Sequence, residues 1–160
     1  MKTKTDRMTL IVFSNDMDKA MAAFILATGA ASSGMKVTMY FTFWGLSLLR
    51  KKHGSRPGKT LFERIFGWML PEGPGDTALS KMNFLGAGTG MMNSVMKRKK
   101  MPGLDDLMEM ALSLDITMVA CTTSMGMMGI AKEELLEGIE IGGVATYLAE
   151  ARGAEISLFI

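Results

Sequence analysis

The sequence predicts an α/β fold: one three-layer domain with a mainly parallel sheet, helices on both faces, and a helical or loop insertion between the second and third strands. Three observations predict it. Short apolar runs recur at Thr9–Phe13, Lys36–Phe43 and Ile116–Ala120, the pattern of strands buried on both faces. Stretches with helical spacing separate them, which makes parallel pairing through right-handed crossovers the natural connection. The chain has 160 residues, 48% of them hydrophobic and 21% charged, enough for one core and too apolar for a disordered segment.

Taken in order, Thr9–Phe13 is the first strand. Ser14, Asn15 and Asp16 supply N-cap chemistry, and Met17, Met21, Phe24, Ile25 and Thr28 mark a helix from Asp16 to Ser33 that stops at Gly34. Lys36–Phe43 is the second strand, completing a βαβ unit. Trp44–Lys52 reads as a short helix ending in Arg50, Lys51 and Lys52, cations suited to a helix C-terminus.

An insertion over roughly 53–101 follows, with Gly and Pro spacing that fits no single period. Inside it, Leu61–Leu70 is strongly amphipathic and Met91–Lys100 reads as a helix. Such an excursion usually carries a partner surface or a lid. Leu104–Leu114 is an amphipathic helix with Leu104, Leu107, Met108, Ala111 and Leu112 on one face. Ile116–Ala120 is the third strand, and Cys121 follows it. Lys132–Glu137 is expected as a short helix, Ile139–Ile141 as a short strand, Gly143–Arg152 as a helix and Ala154–Ile160 as the last strand. The whole of residues 1–160 is thus expected to be a single domain.

Composition excludes several functions. One cysteine and one histidine rule out a disulfide framework and any Cys-cluster metal site made by one chain, and no metal or cofactor is expected. Net charge +2 gives no field that argues for nucleic acid. The apolar run after the basic start is short and lacks a cleavage signature, so it reads as a strand rather than a signal peptide. The uncharged stretches Ala20–Met35 and Ile116–Ala131 are too short to span a membrane. A cytoplasmic location is expected, where a lone thiol stays reduced.

Candidate chemistry converges on the carboxyl edge of the sheet. Were the second and third strands to flank the first, the strand order would reverse between strands one and three, where ligands of such sheets collect. Ser14, Asn15, Asp16, Thr42 and Trp44 would then shape a pocket around Cys121. Backbone N–H groups at a strand-to-helix turn favour thiolate over thiol, and the hydroxyls of Thr122, Thr123 and Ser124 are placed to add hydrogen bonds. The plain alternative is a cysteine that merely packs.

Other groups have blander readings. Gly86–Gly90 lacks a preceding strand and a Walker lysine, so it reads as a tight turn or close-packed helix entry rather than a nucleotide loop. His53 reads as a solvated loop residue. Methionine clusters at Met91, Met92 and Met96 and at Met125, Met127 and Met128 suit adaptable packing better than copper. Arg50–Lys52 with Arg56 and Lys59, the Lys97–Lys100 run, and the acidic pairs Asp105–Asp106 and Glu133–Glu134 read as solvated groups at helix ends.

The segments DITMVACTTSMGMMGI (Asp115–Ile130), LLEGIEIGGVATYLAEARGAEISLFI (Leu135–Ile160) and FTFWGLSLLRK (Phe41–Lys51) resemble the DsrE/DsrF-like sulfur-relay family, in its branch often labelled peroxiredoxin-like or DsrE-like sulfurtransferase. The resemblance covers nearly the whole chain. It implies a persulfide carrier, a sulfurtransferase role with Cys121 as acceptor, donor and acceptor proteins or small thiols as partners, and assembly as a trimer or hexamer. One cysteine is coherent with this, since a sulfane-sulfur carrier needs no resolving thiol. A peroxidase would need an external thiol to resolve its sulfenic acid. A non-catalytic small-molecule or partner-binding module using the same crevice is the alternative.

Overall fold

A computed structural model describes residues 6–52, 61, 65 and 69–160. His53, Arg56 and Lys59, and most of the Leu61–Leu70 amphipathic stretch, lie outside the described residues.

Five strands form one sheet: β1 (Arg7–Val12), β2 (Lys36–Phe41), β3 (Thr117–Cys121), β4 (Glu140–Gly142) and β5 (Ile156–Phe159). Their order is β4-β3-β2-β1-β5, and every neighbouring pair is parallel. Among the described residues, the helices that position the site are α1 (Met17–Ser32), α2 (Ala87–Arg98), α3 (Leu104–Ser113), α4 (Thr122–Met128) and α5 (Val144–Ala151). Tight 3-10 turns occupy Phe43–Leu49 and Lys132–Glu134, shorter than the α-helices expected there.

The strand order corrects the arrangement considered from sequence. β3 lies beside β2, not beside β1, and the winding reverses between β1 and β5. The physical reason is the handedness of the crossovers. α1, α3 and α4 all pack on the face of Leu10, Met39 and Met118. Crossovers of one hand over one face step the chain in one direction, so the return to β5, with Tyr147 on the other face, runs the opposite way.

The two faces differ in chemistry because side chains alternate along each strand. One face presents Leu10, Val12, Met39, Phe41 and Met118, which pack with Phe24 of α1 and Leu107, Met108 and Ala111 of α3 as the main core. Each large apolar side chain buried there contributes about 1.5–3 kcal/mol. The other face presents Thr9, Thr38, Tyr40, Val119 and Cys121, all buried, and α5 lies across it. Tyr147 of α5 packs on Tyr40, Val119 and Cys121. Glu150, further along α5, pairs with Arg7 at 3.5 Å and Lys36 at 3.8 Å.

Two groups read as solvated helix caps are in the interior. Arg50 is 2% exposed and Glu134 1% exposed, and they form an ion pair at 3.2 Å. Arg50 also donates to the carbonyls of Leu70 and Pro71 and reaches Glu72 at 3.5 Å. The cluster ties the Phe43–Leu49 turn to the 132–134 turn and to the end of the insertion. By contrast, Lys97 and Arg98 do end α2 as exposed cations, and Asp106 caps α3 by accepting from the Gly103 N–H at 2.7 Å.

The Gly86–Gly90 run is the close-packed helix entry that its residues suggested. At Gly88, an added Cβ would stand 1.9 Å from the Met82 carbonyl oxygen. α2 begins at Ala87, four residues before the predicted Met91, and only a residue without a Cβ fits at its second position.

Candidate functional site

Cys121 is the last residue of β3 and the N-cap residue of α4. Strand alternation sends its side chain to the polar face of the sheet, under α5. Its relative exposure is 7%, low enough to remove most water from the sulfur. Its register partner on β4 is Gly142, which places no side chain beside the thiol.

Thr42 lies one residue beyond β2 and shares the face of Tyr40. Its Oγ1 is 2.7 Å from Ser124 Oγ, the third residue of α4. Tyr40 pairs with Val119 in the register, two residues before Cys121, so its long side chain runs along the sheet toward the sulfur. The Tyr40 and Tyr147 rings are 5.3 Å apart.

These surroundings set the acidity of the thiol. Burial pushes Cys121 up, but hydrogen bonding to the charged sulfur from Tyr40, from the Ser124 N–H and hydroxyl, and from Thr42 outweighs it and holds the thiol down to about 7. Cys121 makes no side-chain capping bond to α4. Burial and the neighbouring Cys121 together push the Tyr40 phenol above its ordinary range. It therefore stays protonated and remains a donor wherever the thiolate exists.

The structure brings together Cys121, Ser124 and Thr42 from the residues singled out in the sequence. It does not bring the rest to the sulfur. Thr122 and Thr123 are exposed, because the first turn of α4 directs successive side chains around the helix and only the third returns over Cys121. Trp44 is 46% exposed, on the outside of the Phe43–Leu49 turn. Ser14, Asn15 and Asp16 follow β1, with β2 between them and β3. Ser14 Oγ accepts from the Asp16 N–H at 3.1 Å, and Asp16 pairs with Lys19 at 2.6 Å. Those residues organise the start of α1 rather than the thiol.

Tyr40 was missed. The usable signal was the i, i+2 relation to Thr42, which puts both on one strand face, combined with an aromatic hydroxyl in a strand whose neighbours are mainly apolar. Cavities of ≈ 340 Å³, between α1 and the start of α3, and ≈ 370 Å³, beside Arg50 and Leu112, have no Cys121 in their walls. Among the described residues no three His, Cys, Asp or Glu side chains stand together as a metal site, and no helix is long and apolar enough to cross a membrane.

Comparison with known proteins agrees with this architecture. Uncharacterized protein YrkE of Bacillus subtilis (strain 168) is 44% identical over 160 residues, with 100% of both chains covered. Sulfur carrier protein DsrE2 of Allochromatium vinosum is 29% identical, over 96% of this chain and 98% of that one. Two solved structures share the fold at low identity. The E. coli ychN protein has a TM-score of 0.56 at 10% identity, covering 98% of this chain and 100% of its own. MTH1491 of Methanobacterium thermoautotrophicum, a protein of unknown function, has a TM-score of 0.52 at 11% identity, covering 97% and 99%. The sequence model of the DsrE/DsrF/DrsH-like family matches residues 4–159, and the chain belongs to that family.

Proposed function

We propose that the protein is a sulfur carrier that accepts sulfane sulfur on Cys121 as a persulfide and passes it to a second thiol. The observation that carries the reading is a single cysteine at the carboxyl end of β3, where the strand turns into α4, with its thiolate stabilised by Tyr40, Thr42 and Ser124 near neutral pH. A thiolate is the form that attacks sulfur, and an attacking thiol is most effective with a midpoint near ambient pH. Membership of a sulfur-relay family, and a relative named as a sulfur carrier, support the same reading. The absence of a second cysteine in the chain means that the sulfur must leave to another molecule, either a partner protein or a small thiol.

The protein is further proposed to work in the cytoplasm and as a homo-oligomer, a trimer or hexamer. Leu61, Ile65 and Met69 repeat at a four-residue spacing and are strongly exposed, as are Phe84 and Leu85, an apolar surface that a second copy would cover.

Intact-mass measurement after incubation of the folded protein with polysulfide or thiosulfate tests the carrier reading. One added sulfur is expected, mapped to Cys121, removed by reductant and absent in Cys121→Ser. Unmodified wild-type protein with every donor would overturn it.

A further inference from the structure

The methionines that stand next to one another in the sequence are not the ones that the fold brings together. Met125 and Met128 join the main core, and Met91 and Met92 are exposed. Met17, Met21, Met96 and Met101, which share no short motif, all line the cavity of ≈ 340 Å³ between α1 and the start of α3.

The backbone sets these four as two pairs. Met17 and Met21 are four residues apart on α1, the spacing that stacks side chains on one helix face. Met96 and Met101 are joined across the end of α2. The Met101 N–H donates to the Met96 carbonyl at 3.0 Å, the Lys100 N–H donates to the Lys97 carbonyl at 3.2 Å, and Lys100 is left-handed at φ 54°. That closure brings the side chain beyond the helix back onto its last turn. Met21 also packs against the core, and Met101 is half-exposed. Met17 and Met96 are 4% and 7% exposed, yet neither belongs to the main core. Core packing therefore does not account for their burial, and the cavity is what they border.

We infer that this cavity is a site for a soft monovalent metal ion, Cu(I), held by the thioether sulfurs of Met17, Met21, Met96 and Met101. Thioethers are soft donors that select Cu(I), whereas carboxylate, carbonyl and water suit hard ions and imidazole suits several transition metals. Among the described residues no histidine or cysteine shares the cavity wall. Four thioethers carry no charge, so the ion's charge is offset by the Asp105 and Asp106 carboxylates in the same wall. One Asp106 oxygen is also engaged by the Gly103 N–H, and Lys97 of the lining is exposed at the end of α2. Methionine has three rotatable bonds, which lets the sulfurs swing inward from the walls of a cavity wider than the ion. The step is coordination alone: the sulfur lone pairs bind the ion, no electron is transferred, and no proton is released because a thioether carries none.

The test uses Cys121→Ser, which removes the only thiol and makes the outcome independent of sulfur carriage. Cu(I) is titrated under anaerobic conditions in competition with the chelator bicinchoninate, and the methionine methyl groups are followed by carbon-13 NMR. One Cu(I) per chain is expected, with the methyl resonances of Met17, Met21, Met96 and Met101 shifting and those of Met91 and Met92 unmoved. Met17→Leu and Met96→Leu conserve volume and should keep the fold. Each should weaken Cu(I) binding by at least about tenfold, the lower end of the loss seen when even a group that supports a metal ligand is removed. No uptake of Cu(I), binding undiminished in both folded leucine variants, or methyl shifts confined to Met91 and Met92 would overturn the site. If the leucine variants do not fold, the methyl spectrum of Cys121→Ser alone decides between the two groups of methionines.

Discussion

Thr42 and Ser124 offer a sharp test of how the thiolate is held. Their hydroxyl oxygens are 2.7 Å apart and both act on the Cys121 sulfur. Each hydroxyl has one proton, so when one donates to the other, only the second can donate to the sulfur. The pair therefore supplies a single O–H to Sγ through a two-hydroxyl relay. Thr42→Val leaves Ser124 donating, and Ser124→Ala lets Thr42 turn its proton to the sulfur. Each single variant loses only the mutual polarisation of the relay, about 10–30% of a bond, and should raise the thiol midpoint by less than about half a pH unit. The double variant removes both hydroxyls of the pair. A hydrogen bond to a charged group contributes about 1.5–3 kcal/mol, which at about 1.4 kcal/mol per unit is about one to two pH units. The midpoint should move from about 7 to roughly 8–9, far more than the sum of the singles. The assay is the rate of alkylation against pH, which reports one site because the chain has one cysteine. Single variants that each shift by a full unit and add in the double, or a double variant that does not move, would refute the relay.

Three further substitutions probe the scaffold around the site. Glu134→Gln leaves the buried Arg50 guanidinium with a weaker partner, and breaking a buried pair costs about 3–5 kcal/mol; urea denaturation should show it, and a loss under about 1 kcal/mol would contradict the assignment. Gly45→Ala would place a Cβ 2.2 Å from the Val12 carbonyl oxygen, costing at least about 1–3 kcal/mol. Because Gly45 lies in the turn that follows Thr42, the thiol should also become less acidic, and an unchanged Tm and midpoint would show that the turn yields freely. Gly29→Ala is the counterpart on α1, where an added Cβ meets nothing within 4 Å; thermal melting should show a gain of about 0.4–1 kcal/mol, and any loss would count against the helix geometry.

The parts of the fold set by local pattern were legible. The apolar runs that became β1, β2 and β3 announce themselves because both faces of each are covered, and Cys121 at the end of one of them follows from reading that run to its last residue. Strand order was not legible, since it depends on which way successive crossovers turn and no single segment encodes that. Arg50 and Glu134 were misread for a similar reason. Charged residues near helix ends are normally solvated, and nothing local to either shows a partner 84 positions away. Thr122 and Thr123 were expected at the sulfur because sequence adjacency suggests proximity, whereas a helical turn separates adjacent side chains by angle. Ser124 returns to the thiol and the two threonines face outward. Tyr40 was hidden by the same alternation: it is inconspicuous in a run of strand residues until the register with β3 brings it beside Val119.

The most direct test of sulfur carriage follows one labelled sulfur through a full cycle. Folded protein is loaded from a labelled polysulfide, freed of donor, and mixed with an acceptor thiol. The label is then located by mass spectrometry. The account predicts one labelled sulfur on Cys121 before mixing, its appearance on the acceptor afterwards with Cys121 restored as a free thiol, and neither event in Cys121→Ser. A wild-type protein that takes up no label, or holds it at another residue, would contradict the account.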